Sequence, residues 1–283
     1  MSWRDRPFCG IDTETTSTDT ETARIVTMCA GLATANGWSP RNWLFTQDQP
    51  IPEEAVNVHG ITTEYANECG TDLRDGLEEF VRGHLYRAWS QGMAVVLYNA
   101  VYDLTVIDRE LRRCGLAPLE IRGPVVDPYV LERETDPDKF LKKPLRLARL
   151  AEIYAALGID ADPEDEKAPG WYTLRITHYR HFGRDMQGDA HGAEPDAHAA
   201  CRLAWRIGAR RMKLEDYSKT GDGTKWLTLS GVRLSDLHQL QVEAYATQRT
   251  SFASWLARQG KRIDDPSTDW PLRPFVEQGE VAA

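Results

Sequence analysis

The chain opens on a short apolar run, Phe8-Cys9-Gly10-Ile11, that ends on an acid, Asp12, and residues 24–32 form a second, β-branched apolar stretch. Trp43-Leu44-Phe45 follows beyond an Asn36-Gly37 pair that suits a tight hairpin. Three short strands with short connections predict an antiparallel meander. Between residues 71 and 90 the period changes, with Leu73, Leu77, Phe80, Val81 and Leu85 at helical spacing. Residues 93–98 read as a buried strand. A helix should follow, with Asn99 near its N-cap and Leu104, Ile107 and Leu111 facing inward. Val125-Val126-Asp127 predicts another short strand, and residues 145–157 a helix stopped by Gly158. Residues 196–214 predict one more helix, with Cys201, Ala204 and Ile207 among its apolar positions. Strands first, then strands alternating with helices, predict an α/β fold with a mixed central sheet.

Two stretches break this pattern. Residues 160–190 are rich in Pro, Gly and charge and read as an irregular insertion. Beyond residue 212, glycines at 221, 223 and 231 mark a connector, and a long amphipathic helix is expected over 235–259. Leu237, Leu240, Ala244, Gln248, Phe252, Trp255 and Leu256 would form its packing face. The proline-containing tail from 264 to 283 should be extended and partly disordered. The division expected is a core over 1–212, with the insertion at 160–190, and an appendage over 213–283.

Composition narrows the class. At 41% hydrophobic and 27% charged, the 283 residues suit a soluble globular protein. No apolar run reaches the roughly 20 residues that cross a bilayer, and the charged N-terminus lacks the apolar core of a signal peptide. A cytoplasmic protein with no membrane contact is expected. The five cysteines (Cys9, Cys29, Cys69, Cys114, Cys201) are scattered without a CxxC pair, which speaks against a disulfide framework and against zinc. The net charge of −9 does not exclude a nucleic-acid partner, because bound cations invert the local field of clustered carboxylates.

Three patterns carry chemistry. In Gly10-Ile11-Asp12-Thr13-Glu14-Thr15-Thr16 the two acids lie two apart on a strand and so share a face. Such a pair repels itself unless a hard cation lies between; alone, it is more often a solvated acidic edge. In Tyr98-Asn99-Ala100-Val101-Tyr102-Asp103 an acid sits in the first turn of a helix after a buried strand. In His191-Gly192-Ala193-Glu194-Pro195-Asp196 an imidazole and a carboxylate open another helix. Each is commonplace by itself.

Their order and separation resemble the DEDDh 3′→5′ exonuclease family, the group that contains the epsilon proofreading subunit of bacterial replicative polymerase. Residues 50–55 with His59-Gly60-Ile61-Thr62 resemble the family segment that touches the terminal nucleotide. The resemblance covers about residues 6–212 and implies a ribonuclease-H-like fold, here with a C-terminal helical extension. It implies that Asp12, Glu14 and Asp196 ligate two Mg²⁺ or Mn²⁺ ions, that Asp103 completes the site directly or through water, and that His191 is the general base. Thr13, Thr15, Thr16, His59, Ile61 and Asn99 are the implied substrate contacts. The chain departs from the family pattern at Ser17, Tyr98 and Tyr102, none of which replaces a ligand, and His198 is assigned to the surface or to a supporting role. The expected substrate is a single-stranded 3′ end, preferably DNA, in proofreading or repair beside a DNA polymerase. The rivals are an RNA-directed exonuclease of the oligoribonuclease or RNase T type, and a non-catalytic nucleic-acid-binding or polymerase-associated module.

A basic strip (Lys139, Lys142, Lys143, Arg146, Arg149) holds no acid and is read as a phosphate contact, with Lys142, Lys143 and Arg146 foremost. Aromatics and arginines in the later half of the insertion suit either base stacking or a small packed flap.

Overall fold

A computed structural model describes residues 2–187, 192–213, 226–263 and 266–276. The first three strands, β1 (Phe8–Thr15), β2 (Ile25–Thr34) and β3 (Gly37–Leu44), form the expected antiparallel meander. β2 and β3 turn at Ala35-Asn36, and Gly37 closes the turn at φ +124°, a conformation that favours glycine. β4 (Ala94–Val96) and β5 (Val125–Val126) then add parallel to β1, giving the order β3-β2-β1-β4-β5. Three antiparallel strands followed by two parallel ones, with helices on both faces, make the sheet ribonuclease-H-like.

Helices α1 (Glu53–His59), α2 (Thr63–Cys69), α3 (Leu73–Phe80) and α4 (Tyr86–Ser90) lie between the meander and β4, with a π-helical turn at Val81–Leu85 joining the last two. Helix α5 (Ala100–Arg113) follows β4 and packs Leu104, Ile107 and Leu111 into the main core with Ile11, Phe80 and Leu97. Helices α6 (Pro128–Thr135) and α9 (Ala193–Ile207) contribute to the opposite core, around Phe8, Val96, Cys201 and Leu203. The helix expected over 196–214 ends at Ile207, because Arg211–Lys213 pairs as a strand with Trp226–Thr228.

The insertion is a folded flap. Helix α7 (Lys143–Leu157) and helix α8 (Leu174–Phe182) enclose a core of their own around Ile153, Trp171 and Ile176. Arg180 fastens this flap to α6 through Glu132 (3.2 Å) and Asp136 (2.8 Å), and Trp171 donates to Asp136 at 2.8 Å. Of the two readings of its arginines and aromatics, packing prevails for these.

The C-terminal part is built into the sheet. Helix α10 (Leu234–Arg258) lies along β5, the edge strand, whose polar groups would otherwise be open. Gln241 donates to the Val125 carbonyl (2.9 Å) and accepts from the Asp127 N–H (2.7 Å), while His238 Nδ1 accepts from the Val125 N–H (3.2 Å). The packing face is shorter than predicted. Leu237, Gln241 and Tyr245 are buried, whereas Phe252 and Trp255 stack on each other in solvent. The tail is ordered over its described part, where Trp270 is buried in the main core and the Arg273 N–H donates to Thr105 at 3.2 Å. All five cysteines are free. Among the described residues no helix is long and apolar enough to cross a membrane.

Candidate active site

Asp12 and Glu14 leave the C-terminal half of β1 on the face covered by α9, as their two-residue spacing requires. Gly10 precedes them on that face. A Cβ there would stand 2.6 Å from Cys201 Sγ and 2.8 Å from the Ala197 carbonyl oxygen, so glycine lets α9 lie close to the strand. That approach delivers Asp196. One carboxylate oxygen from each of Asp12, Glu14 and Asp196 lies within 4.8 Å of the others.

Asp103 reaches the same strand from α5. Its Oδ1 accepts from both the Thr13 N–H (3.0 Å) and the Thr13 hydroxyl (2.7 Å), which orients it beside Asp12. The four acids perturb one another. Burial and then the charges of Asp103, Asp196 and Glu14 hold Asp12 well above the usual carboxylate range. Glu14 is pushed up to about 8, by burial first and then by Asp196 and Asp103. Burial also raises Asp103 and Asp196 to about 7. Among the described residues no lysine, arginine or histidine forms an ion pair with any of the four, and Asp196 Oδ1 is buried without a hydrogen-bond partner. Hard carboxylate oxygens, one of them orphaned, fit divalent cations, which are what would let all four ionise at neutral pH.

The second motif is held by a residue that the sequence reads only as the end of a short strand. Asp127 is buried, and its two oxygens accept from the Asn99 and Ala100 N–H groups, each at 2.9 Å. It thereby caps the start of α5 and, through the Tyr129 N–H at 2.9 Å, the start of α6. The Asp-Pro pair at 127–128 is the signal that marks such a cap. Asn99 takes φ +67°, alone among the described non-glycine residues in being positive, and is exposed.

The other implied contacts divide. The Thr13 hydroxyl is spent on Asp103; the Thr15 hydroxyl bonds Tyr102 and donates to the Ser17 carbonyl (3.0 Å); the Thr16 hydroxyl accepts from the Arg24 N–H (3.0 Å). These threonines brace the site from behind. His59 and Ile61, by contrast, line a pocket of about 390 Å³ that adjoins Glu14, with Trp43, Tyr65 and Glu194 on its other walls. His59 Nδ1 accepts from the Ile61 N–H (3.1 Å), and its Nε2 is buried with no protein partner. His191 lies outside the described residues. His198 stacks on Trp38, ring centroids 4.9 Å apart. The Tyr98 hydroxyl donates to the Tyr172 carbonyl at 2.6 Å and so ties β4 to the flap. In the basic strip, Arg146 donates to the Lys139 carbonyl (2.8 Å) and Arg149 pairs with Asp138 (2.7 Å), while Lys142 and Lys143 stay exposed.

No family model and no curated protein matches the chain. Among solved structures it is similar to E. coli Exonuclease I in complex with a 5cy-dT13 oligonucleotide, at 15% identity and a TM-score of 0.49 over 88% of this chain and 45% of that one. It is also similar to Exonuclease I from Methylocaldum szegediense, at 19% identity and a TM-score of 0.45 over 71% of this chain and 40% of that one. The chain thus spans less than half the length of these proteins, and the likeness is low by both measures.

Proposed function

We propose that this chain is a divalent-cation-dependent 3′→5′ exonuclease acting on single-stranded polynucleotide, DNA by preference. The observation that carries the proposal is the convergence of Asp12, Glu14 and Asp196, with Asp103 held beside them on Thr13 and no basic partner for any of the four among the described residues, and with Asp196 Oδ1 buried and unbonded. Asp12, Glu14 and Asp196 would hold the cations, Mg²⁺ or Mn²⁺, and Asp103 would complete the set directly or through water. Two such ions, when bound, supply an activated water on one side of a phosphodiester and charge neutralisation of the leaving 3′ oxygen on the other. His191, five residues before Asp196, is assigned the removal of the proton from the attacking water.

The pocket beside Glu14 is at the small end of the range for ligand sites and suits one terminal nucleotide. In a neutral His59 ring whose Nδ1 accepts the Ile61 N–H, the proton is on Nε2, a buried donor that no protein atom satisfies, and the ring lines the pocket proposed for the terminal nucleotide. Burial lowers the His59 pKa and so favours this neutral form. Lys142 and Lys143 are proposed as peripheral phosphate contacts. Proofreading or repair beside a DNA polymerase is the setting the resemblance suggests.

The test is a timed incubation of 5′-labelled single strands with Mg²⁺ or Mn²⁺. A ladder of products shortened from the 3′ end is expected, with no products in EDTA or with Asp12→Ala. Undiminished degradation in EDTA would remove the cations from the reading.

A further inference from the structure

A second concavity, about 550 Å³, opens on the other side of the second motif. Asn99 and Tyr102 form one wall, and the Tyr102 hydroxyl is bonded to Thr15, the residue after Glu14, so the groove begins beside the acid site. Thr18 and Thr20 of the loop after β1 add to it, and α6, α10 and the tail bring Arg133, Arg249, Arg273 and Phe252. None of the described residues that line it is acidic, in a chain whose net charge is −9. Half-buried Tyr129 adds a second accessible ring, while Tyr245, buried in the main core, forms the floor. Phe252 is 40% exposed, and its stacking partner Trp255, 49% exposed, carries the aromatic surface along α10. Rings left in solvent add no folding energy, and three arginines brought to one groove supply several N–H donors for phosphate oxygens.

Arginines interleaved with exposed rings match one chemistry: a phosphate backbone whose bases stack on aromatic faces. We infer that this groove binds the internal nucleotides of the single strand whose 3′ end lies at the four acids. The groove needs a strand several nucleotides long, since the pocket beside Glu14 accounts for the terminal one. It also gives the C-terminal helix and tail a purpose beyond covering β5, because Arg249, Phe252 and Arg273 are theirs. The inference rests on the nuclease reading for its direction along the strand, yet the binding it predicts is measurable without cleavage.

The experiment uses the full chain carrying Asp196→Ala, and fluorescence anisotropy with 5′-labelled oligothymidylates of three and twelve nucleotides at several salt concentrations. Phe252→Ala, on an exposed ring, and Arg249→Gln are each added, with thermal melts to establish that they fold. Phe252→Ala should weaken the twelve-mer about tenfold, within the range known for removal of one stacked base. Arg249→Gln should lower the slope of log affinity against log salt by about 0.7, the value for one phosphate neutralised on a single strand. Neither change should move the affinity of the trimer. Groove-dependent binding of the twelve-mer by a protein whose unmodified form degrades no strand would uphold the groove and overturn the nuclease reading. Unaltered twelve-mer affinity and slope in both folded variants would overturn the groove, whatever the nuclease activity. Equal losses for trimer and twelve-mer would also overturn it, by placing the effect at the terminal nucleotide.

Discussion

Asp196→Asn should make the cation-free protein more stable while abolishing its activity, and the gain should grow with pH. Burial raises Asp196 from 3.8 to about 7, so the folded chain keeps a proton there that the unfolded chain has released. A state that binds more protons is favoured at low pH. The wild-type fold therefore loses stability as pH rises through the window from about 4 to about 7. By pH 8, ionising a carboxyl held at about 7 costs about 4 kcal/mol relative to the unfolded chain. Asparagine carries no charge, but it still buries the unpartnered oxygen position, a cost of about 2 kcal/mol. The net gain is then about 2 kcal/mol, or about 4–8 °C in Tm for a chain of this size. Thermal melts of both proteins in EDTA from pH 5 to 8 measure it. At pH 5, about one unit above the free value, ionisation of the unfolded carboxyl has already cost the wild type about 2 kcal/mol, which matches the asparagine's own cost, so the two midpoints should nearly coincide. At pH 8 the variant should melt higher, and saturating Mg²⁺ should reverse the order, because only the wild type has its full ligand set to bind it. A Tm difference that does not change with pH, or a variant less stable at pH 8 in EDTA, would refute the idea that the site stores unneutralised acid.

Other expectations concern single groups. Asp127→Asn turns one of two accepting oxygens into a donor facing an N–H at the start of α5, and should cost about 2 kcal/mol by thermal melting. Because Asn99 is held by the same carboxylate, the KM for strand ends should rise more than kcat falls; an unchanged KM would reduce Asp127 to a cap alone. His191→Ala should lower turnover by about 10²–10⁴ while leaving strand binding intact. His198→Ala should matter far less, since its ring stacks on Trp38; reversed effects in the same rate assay would reassign the base. Changing Lys142 and Lys143 together to Ala should weaken strand binding regardless of sequence. It should also lower the salt slope by about 0.7 for each phosphate left unneutralised, read by titration at several salt concentrations.

The sheet and its acids were legible because they depend on local rules. Alternation along β1 puts Asp12 and Glu14 on one face, and the Asn36-Gly37 signal gives the hairpin. Apolar runs at 93–98 and 125–126 give the two parallel strands. What periodicity does not carry is which element lies against which. The closeness of Asp196 to Asp12 depends on the missing Cβ of Gly10, and nothing in a helical repeat shows that glycine's neighbour. The flap read as irregular because Pro, Gly and charge break any period there, and its packing rests on distant partners, since Arg180 and Trp171 are satisfied by Glu132 and Asp136, some forty residues away in sequence. In the same way the proline-containing tail reads as loose until Trp270 is found in the core, and Phe252 reads as buried until α10 outruns the sheet edge that it covers. The groove between α5 and α10 combines residues from 18 to 273 and has no local signature at all.

The most direct measurement sets two single strands of identical sequence side by side with Mg²⁺, one linear and 5′-labelled, the other a covalently closed circle. An enzyme whose four acids receive a free 3′ terminus will shorten the linear strand nucleotide by nucleotide and leave the circle intact, and EDTA will stop it. Rapid cutting of the circle would show an endonuclease, and survival of both strands with bound Mg²⁺ would leave the four acids without the hydrolytic role assigned to them.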